Sequence, residues 1–157
     1  MIAKLTGAID EVGEDSAIID VGGVGYLVFC SRRTLSTLSL DHNMVRLLIE
    51  THVREDHIHL FGFIDAIEKD WFKLLTTVQG VGAKVALNIL SALPPEDLLN
   101  TLIAQDRASL AQAQGVGQRL AERIISELKN KYVDLKLPKK TVDETQLRPD
   151  SYILPDA

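Results

Sequence analysis

The sequence contains very little cysteine, few aromatic residues and no long apolar run. Its 157 residues include one cysteine, Cys30, and one tryptophan, and aromatic residues make up 5%. A single cysteine excludes a disulfide framework, and in a strand-like stretch it indicates a small core residue rather than a nucleophile. The apolar runs fall short of the ~18 to 20 residues that span a membrane, and no charged-then-apolar signal peptide follows Met1. We therefore expect a cytoplasmic protein that does not contact a membrane.

The sequence also lacks an excess of positive charge. Its net charge is −5, which by itself argues against a nucleic-acid-binding protein. The charges are unevenly distributed, however. Basic and acidic residues number 5 and 9 in residues 1–63, 8 and 8 in residues 64–131, and 4 and 5 in residues 132–157. The acidic excess lies mostly in the first segment, so one face of the middle segment remains able to bind phosphate.

The most informative feature of the sequence is an internal repeat of a glycine-rich turn. Residues 79–84 read QGVGAK and residues 114–119 read QGVGQR, so the two copies lie 35 positions apart. Each copy interrupts a stretch with helical periodicity, and the match continues beyond the turn. The matching apolar positions outside the turns are Leu75 with Leu110, Ala86 with Ala121, and Ile89 with Ile124.

The residue types in each turn indicate a site for an anion. Two glycines on either side of a valine allow the backbone conformations that a Cβ atom forbids, while Val81 or Val116 plugs inward as an anchor. The second glycine opens the next helix, which leaves free N–H groups and the positive end of the helix dipole facing solvent, with Lys84 or Arg119 close behind. Arg123 lies four residues after Arg119, on the same side of its predicted helix. No group in such a turn reaches a base edge, so the ligand that fits is a sugar–phosphate backbone.

Other interpretations of the glycines fit less well. A single Gly-x-Gly between helices is usually a plain helix–helix turn, but two copies, each followed by a cation, favour a tandem helix-hairpin-helix DNA-binding unit. A P-loop requires Gly-Lys-Ser/Thr after four intervening residues, which neither turn has. A dinucleotide-binding fingerprint follows a strand, whereas residues 71–75 ahead of the first turn have helical spacing.

Apolar periodicity predicts a multidomain α+β protein. Residues 1–63 contain five strand-like segments, enough for a small closed β-barrel, of which the OB-fold is the commonest. A short helix at residues 31–38, with Ser31 as its N-cap, precedes the fourth strand. The predicted strands are residues 2–9, 17–21, 26–30, 45–53 and 58–63. The predicted helices of the second segment are residues 66–78, 83–93, 95–104, 107–112 and 118–132.

The chain therefore divides into three predicted segments. These are an OB-fold barrel domain at residues 1–63, an all-α domain with tandem helix-hairpin-helix motifs at residues 64–135, and a flexible linker or tail at residues 136–157. The last segment has three prolines, mixed charge and no amphipathic face, which is typical of a linker.

Two adjacent carboxylates, Glu55 and Asp56, lie between the last two predicted strands. Such a pair is usually a solvated turn, but acids held against DNA repel phosphate, and like charges ~4 Å apart cost on the order of 1 to 4 kcal/mol. A metal-dependent nuclease would need a third convergent ligand. His57 and His59 share one strand face, yet no further cysteine or histidine lies nearby, so we expect surface residues and no metal site.

These pieces together resemble the RuvA family, the Holliday-junction-binding subunits of the bacterial branch migration complex. The resemblance runs from Met1 to about Leu135. Its most specific parts are DVGGVGY at residues 20–26, VRED at 53–56, LFGF at 60–63, GVGAK at 80–84, and GVG at 115–117 with AER at 121–123.

The resemblance implies an OB-fold and two helix-hairpin-helix motifs in a homotetramer, or an octamer, that holds four-way junction DNA open during homologous recombination and DNA repair. Glu55 and Asp56 would form an acidic pin at the junction centre. Gln118 stands where relatives often have lysine. The implied phosphate-binding positions are Gly80, Gly82, Ala83, Lys84, Gly115, Gly117, Gln118, Arg119 and Arg123.

The resemblance also implies a non-catalytic subunit without cofactors. The motor activity would belong to the partner ATPase RuvB, which the family docks through a third domain beyond the linker, and a RuvC-type resolvase is a further expected partner. Because the chain ends at Ala157, inside the implied linker, we expect it not to bind RuvB. Two enzyme classes stay open as alternatives: a helix-hairpin-helix DNA glycosylase with a catalytic aspartate, and a junction nuclease using Glu55 and Asp56 with Mg²⁺.

Overall fold

The computed structural model describes residues 1–40 and 44–136. The first part is a five-stranded closed barrel in the order β1-β2-β3-β5-β4, in which β1 also pairs with β4 and so closes the sheet. All neighbouring strands are antiparallel except β3 and β5, which run parallel. The elements are β1 Lys4–Val12, β2 Ser16–Val21, β3 Val24–Phe29, α1 Arg32–Leu40, β4 Met44–Val53 and β5 Ile58–Phe63. The predicted OB-type barrel is confirmed.

The first strand, predicted at residues 2–9, begins later and ends later than its sequence pattern indicated, since it runs over Lys4–Val12. The pairing of β1 with β2 shifts register between Ile9 and Glu11. A bulge of this kind breaks the alternation of buried and exposed side chains, so the apolar pattern stopped at Ile9 although the strand continues to Val12. The helix after β3 begins as predicted, because the Ser31 hydroxyl accepts a hydrogen bond of 3.2 Å from the Thr34 N–H.

The second part of the chain is helical. Its elements are α2 Ala66–Leu75, α3 Ala83–Ala92, α4 Pro95–Ala104, α5 Arg107–Leu110, α6 Gln118–Leu128 and α7 Val133–Lys136. The predicted helix at residues 118–132 was too long, because the backbone leaves the helical conformation at Lys129, with ψ of 121°, and Asn130 follows in a left-handed conformation with φ of 75°. The predicted helix ends at residues 78 and 112 were also too late. Helix α2 ends at Leu75 and α5 at Leu110, and single turns follow each helix before the glycines.

The barrel and the helices share one apolar cluster. Phe61 and Phe63 point from β5 into the core that Trp71 and Phe72 of α2 occupy, and the rings of Phe63 and Phe72 lie 4.9 Å apart. A separate cluster fills the barrel interior. The predicted domain boundary at residue 63 stays a prediction, because the packing is continuous across it.

A buried carboxylate adds a polar contact between the barrel and the helices. Glu68 of α2 is only 4% exposed and accepts hydrogen bonds from the hydroxyls of Ser31 and Thr34, at 2.9 and 3.0 Å, and from the Ile64 N–H. Three donors satisfy the charge that burial would otherwise penalise. The carboxylate thereby ties α1 of the barrel to α2.

Cys30 is a core residue, as predicted. It is 3% exposed, and burial, with a smaller effect of the nearby Glu68 carboxylate, raises the pKa of its thiol to about 12. The thiol is therefore protonated at neutral pH and is not a nucleophile.

No helix in residues 1–40 and 44–136 is both long enough and apolar enough to cross a membrane. Of the predicted tail at residues 136–157, only Lys136 falls within the described residues.

Candidate nucleic-acid interface

The two glycine turns have the same backbone structure. In the first, the Val81 N–H donates to the Val78 carbonyl at 3.0 Å, and in the second the Val116 N–H donates to the Ala113 carbonyl at 3.1 Å. The bonds that enter the following helices also correspond, with Ala86 to Gly82 at 3.0 Å and Ala121 to Gly117 at 2.9 Å. Helices α2 and α3 with one turn, and α5 and α6 with the other, therefore form two helix-hairpin-helix motifs.

The valine between the glycines is the predicted anchor in both motifs. Val81 is 4% exposed and Val116 is 5% exposed, and both belong to the shared apolar cluster. Burial of the valine turns the flanking backbone outward.

The two glycines of a turn differ in conformation. Gly80 and Gly115 have φ of 99° and 90°, which residues with a Cβ rarely adopt. Gly82 and Gly117 are extended, with φ near −90°, and a Cβ added to either would meet no atom within 4 Å. The prediction of a special conformation was right for the first glycine and wrong for the second. The second glycine instead leaves open space in front of a helix start.

The helices that follow the turns begin without a capping side chain. In α2 and α5 the carboxylates of Asp65 and Asp106 accept hydrogen bonds from the helix N–H groups, at 2.9 and 3.1 Å. In α3 and α6 the N-cap is glycine, no side chain caps the helix, and the first turn contains no acid. No residue in the described ranges accepts from the first N–H groups of these helices, which belong to Ala83, Lys84, Gln118 and Arg119. These groups remain available to an external anion.

The motifs pack against each other in a reciprocal way. A Cβ on Gly80 would lie 3.1 Å from Leu120, and one on Gly115 would lie 3.4 Å from Val85. Val85 is the counterpart of Leu120, 35 positions earlier. Hydrogen bonds from the second helix of each motif to the turn of the other are reciprocal in the same way. The Arg123 guanidinium donates to the Gln79 side chain at 2.7 Å, and the Asn88 amide donates to the Gln114 carbonyl at 3.0 Å. The two motifs are thus related by a pseudo-twofold axis, with each turn lying on the second helix of the other motif.

This packing brings both turns to one surface depression of about 900 Å³, which we call the α6 groove. Five of the predicted phosphate-binding residues line it. The residues lining the groove are Gln79, Gly80, Gly117, Gln118, Arg119, Leu120, Glu122, Arg123 and Ser126. Of the remaining predicted residues, Ala83 and Lys84 line a second cleft, Gly82 caps α3, and Gly115 packs on α3.

Acidic side chains that the sequence interpretation did not assign lie among the cations. Arg123 pairs with Glu127 at 2.6 Å, and Glu122 pairs with Arg107. Arg119 has no ion pair in the part of the chain that the structure describes. The four-residue spacing of Arg123 and Glu127 on a helix was the signal that could have revealed the first pair.

The predicted acidic tip is the turn between β4 and β5. The Arg54 N–H donates to the His57 carbonyl at 2.8 Å and closes the turn, so Glu55 and Asp56 project at its end. The Asp56 side chain is 86% exposed, and its carboxylate lies 2.7 Å from the His57 ring nitrogen. The His57 and His59 rings are 4.2 Å apart. Among the described residues, no three histidine, cysteine or acidic side chains lie close enough to hold a metal ion.

Comparison with known proteins gives consistent matches over most of the chain. Residues 1–62 match the family of RuvA N-terminal domains, and residues 72–130 match the SAM-like tandem helix-hairpin-helix family. A protein from Rhodospirillum centenum named Holliday junction branch migration complex subunit RuvA is 60% identical over 138 residues, which is 88% of this chain and 67% of that protein.

Relatives with the same name from Acidiphilium cryptum and Sinorhizobium fredii are 56% and 55% identical over 131 residues, or 83% of this chain and 64% of each relative. The chain therefore spans about two thirds of the length of the curated relatives it matches.

Proposed function

The chain belongs to the RuvA family, and we propose that it binds four-way DNA junctions through their sugar–phosphate backbone, without regard to base sequence. The observation that carries this proposal is the pair of uncapped helix starts, at Gly82 and Gly117, that the pseudo-twofold axis relates. Free N–H groups at a helix N-terminus bind phosphate and read no base edge.

The symmetry of the two motifs suits duplex DNA. A duplex has local twofold axes that relate its two strands, so two phosphate sites related by a twofold axis can each contact one strand of the same arm. Arg119 and Arg123 in the α6 groove add cationic contacts beside these sites. The turns therefore hold an arm by its backbone, and base sequence has no influence on the grip.

Selection of a junction over a linear duplex requires a second feature, and the exposed tip of β4 and β5 supplies it. Glu55 and Asp56 repel phosphate, so a straight duplex lying across the tip is disfavoured. At the centre of a branched molecule, where strands part, the same repulsion keeps the strands separated. The tip serves as an acidic pin.

A homotetramer multiplies these contacts around the junction. Support for self-association comes from large apolar side chains on the barrel surface that are at least half exposed. Examples are Val24, Leu27, Met44, Val53 and Ile58. Once one arm is bound, the other arms are held at high effective concentration next to the remaining subunits, which raises the affinity without new kinds of contact.

In this function the chain is a DNA-binding subunit and performs no catalytic step. The relatives are named as subunits of a branch migration complex. The motor of such a complex is the partner ATPase RuvB, and a RuvC-type resolvase would act on the same held junction.

The proposed function is tested by gel mobility shift, with a labelled four-way junction compared against a linear duplex of equal length at one salt concentration. We expect the junction to be bound far more tightly. Equal affinity for the two DNAs would contradict the proposal. Incubation of the junction with Mg²⁺ is the second arm, in which specific cleavage would favour a nuclease instead.

A further inference from the structure

A second cleft, of about 570 Å³, lies between the barrel and α3, and we call it the α3 cleft. Six of its lining residues stand 35 positions from six that line the α6 groove. Among these pairs are Lys84 with Arg119 and Ser91 with Ser126. The α3 cleft is therefore the pseudo-symmetric counterpart of the α6 groove, built from the second helix of one motif and the turn of the other.

The two depressions differ at one cationic position. Asn88 occupies in the α3 cleft the place that Arg123 occupies in the α6 groove. Both side chains donate to the turn of the opposite motif, but only Arg123 carries a charge. Helix α3 thus contributes a single cation, Lys84, where α6 contributes two.

The barrel places a cation in the same cleft. Arg32, the first residue of α1, lines the α3 cleft and is exposed. Its backbone N–H donates to the Ser91 hydroxyl of α3 at 2.9 Å, which holds the start of α1 against the C-terminal end of α3. Neither Arg32 nor Lys84 forms an ion pair with any residue in ranges 1–40 and 44–136. Two cations without an ion pair among the described residues, one from each part of the fold, thus line the same cleft.

We propose that the α3 cleft is a composite phosphate site, in which Arg32 of the barrel supplies the cation that Arg123 supplies in the α6 groove. The inference rests on the proposed function and extends it, because it adds a barrel residue to the phosphate contacts of the helix-hairpin-helix motifs. The ligand is a phosphate of the DNA backbone, held between the Arg32 and Lys84 side chains. The site exists only while the barrel and α3 keep their relative placement.

Two carboxylates, Glu14 and Asp15, also line the α3 cleft. Its charged residues are thus two cations and two acids, whereas the α6 groove has Arg119 and Arg123 with one acid, Glu122. The α3 cleft is accordingly the weaker of the two phosphate sites, and removal of Arg32 leaves it with a net negative charge.

The test compares Arg32→Ala with Arg33→Ala. Arg33 is the adjacent residue of α1, is also exposed and does not line the cleft. Because both residues are arginines, the two variants make the same change in net charge. Junction affinity is measured by titration at several salt concentrations. We expect Arg32→Ala to weaken binding about fivefold or more and to reduce the slope of log affinity against log salt by about 0.9 for each chain that contacts the DNA.

Arg33→Ala and the charge-retaining Arg32→Lys should keep the slope of the unmodified protein. Equal slopes for Arg32→Ala and Arg33→Ala would overturn the inference. The same titrations on linear duplex separate this outcome from failure of the proposed function. If the unmodified protein bound junction and duplex with equal affinity, the proposed junction selection would be refuted. A difference in salt slope between Arg32→Ala and Arg33→Ala on duplex would still support the phosphate site.

Discussion

At the scale of single residues, the two glycines of each turn serve different purposes. Gly80 has a positive φ and lies close to Leu120, so its lack of a Cβ is a requirement of folding. Gly82 is extended and faces open space, so its lack of a Cβ matters only to what approaches the helix start. Stability and binding are therefore separable within one turn.

We expect Gly80→Ala to lower the free energy of unfolding by about 1 to 2 kcal/mol, the cost of a left-handed conformation with a side chain. Gly82→Ala should change it by less than about 0.5 kcal/mol, because a poorer N-cap and a less flexible unfolded chain offset each other. The same Gly82→Ala change should weaken junction binding about tenfold, equivalent to about 1.4 kcal/mol. Urea unfolding and DNA titration measure the two effects, and a large loss of stability in Gly82→Ala would contradict this division.

Arg123 should contribute to binding in the same way for every base sequence. We expect Arg123→Ala to weaken junction binding and to reduce the salt slope by about 0.9 for each contacting chain. Titration of two junctions with unrelated sequences measures this, with Arg46→Ala on the exposed face of β4 as the charge-matched control. A loss confined to one of the junction sequences would show base readout instead.

At the scale of elements, β5 links the acidic tip to the helical part. A row of rings runs from His57 through His59 and Phe61 to Phe72 of α2, with neighbouring centroids 4.2, 6.2 and 5.3 Å apart. The far end of this row is buried among the helices, whereas the tip is exposed. The position of the two carboxylates is therefore set by packing against α2 as well as by the turn itself.

Neutralising the tip should change selectivity more than affinity. We expect the double substitution Glu55→Gln and Asp56→Asn to keep or strengthen junction binding, because repulsion of phosphate is removed. Binding to linear duplex should strengthen by a larger factor, so the ratio of the two affinities falls. Parallel titrations of both DNAs measure the ratio. A collapse of junction affinity would show that the acids bind rather than repel.

The hydrogen bonds of Glu68 join α1 to α2, and their removal should be costly. We expect Glu68→Ala to lower the free energy of unfolding by roughly 2 to 4 kcal/mol, because it leaves buried donors of Ser31 and Thr34 without an acceptor. Urea unfolding measures the loss. Glu11→Ala on the exposed side of β1 is the control and should be nearly neutral. Equal stability of the two variants would mean that water replaces the carboxylate.

At the scale of the whole molecule, the acidic net charge and the proposed DNA binding are compatible. The net charge is −5, yet the cations of α3, α6 and the start of α1 line the two depressions beside the glycine turns. Local fields within a Debye length of about 10 Å decide phosphate binding, so distant acids on the barrel have little effect.

Self-association is the expected behaviour of the free protein. We expect light scattering to give a mass of four times 17.3 kDa, because exposed apolar side chains on the barrel are buried when subunits meet. Replacement of Val53 and Ile58, which face each other across β4 and β5, by aspartate provides the comparison. A monomer at micromolar concentration in the unmodified protein would contradict the tetramer.

The sequence by itself determined the features that depend on short stretches of chain. The five strands, the two helix-hairpin-helix turns, the buried valines and the positive φ of Gly80 follow from side-chain periodicity and from the steric properties of glycine. These are local properties, so a sequence pattern is sufficient to predict them. The end of α6 at Leu128 and the separate α7 escaped prediction, because the turn through Lys129 and the left-handed Asn130 has no periodic signal.

Only the tertiary structure decided how the two motifs face each other and what completes each depression. Arg32 and Ser91 are 59 residues apart in sequence, and Arg123 and Gln79 are 44 apart. Such contacts depend on how the shared core of Phe61, Phe63 and the helices packs, which no local pattern specifies. The turns were therefore predictable from sequence, whereas the two clefts were not, since a cleft is formed by surfaces that meet only after packing.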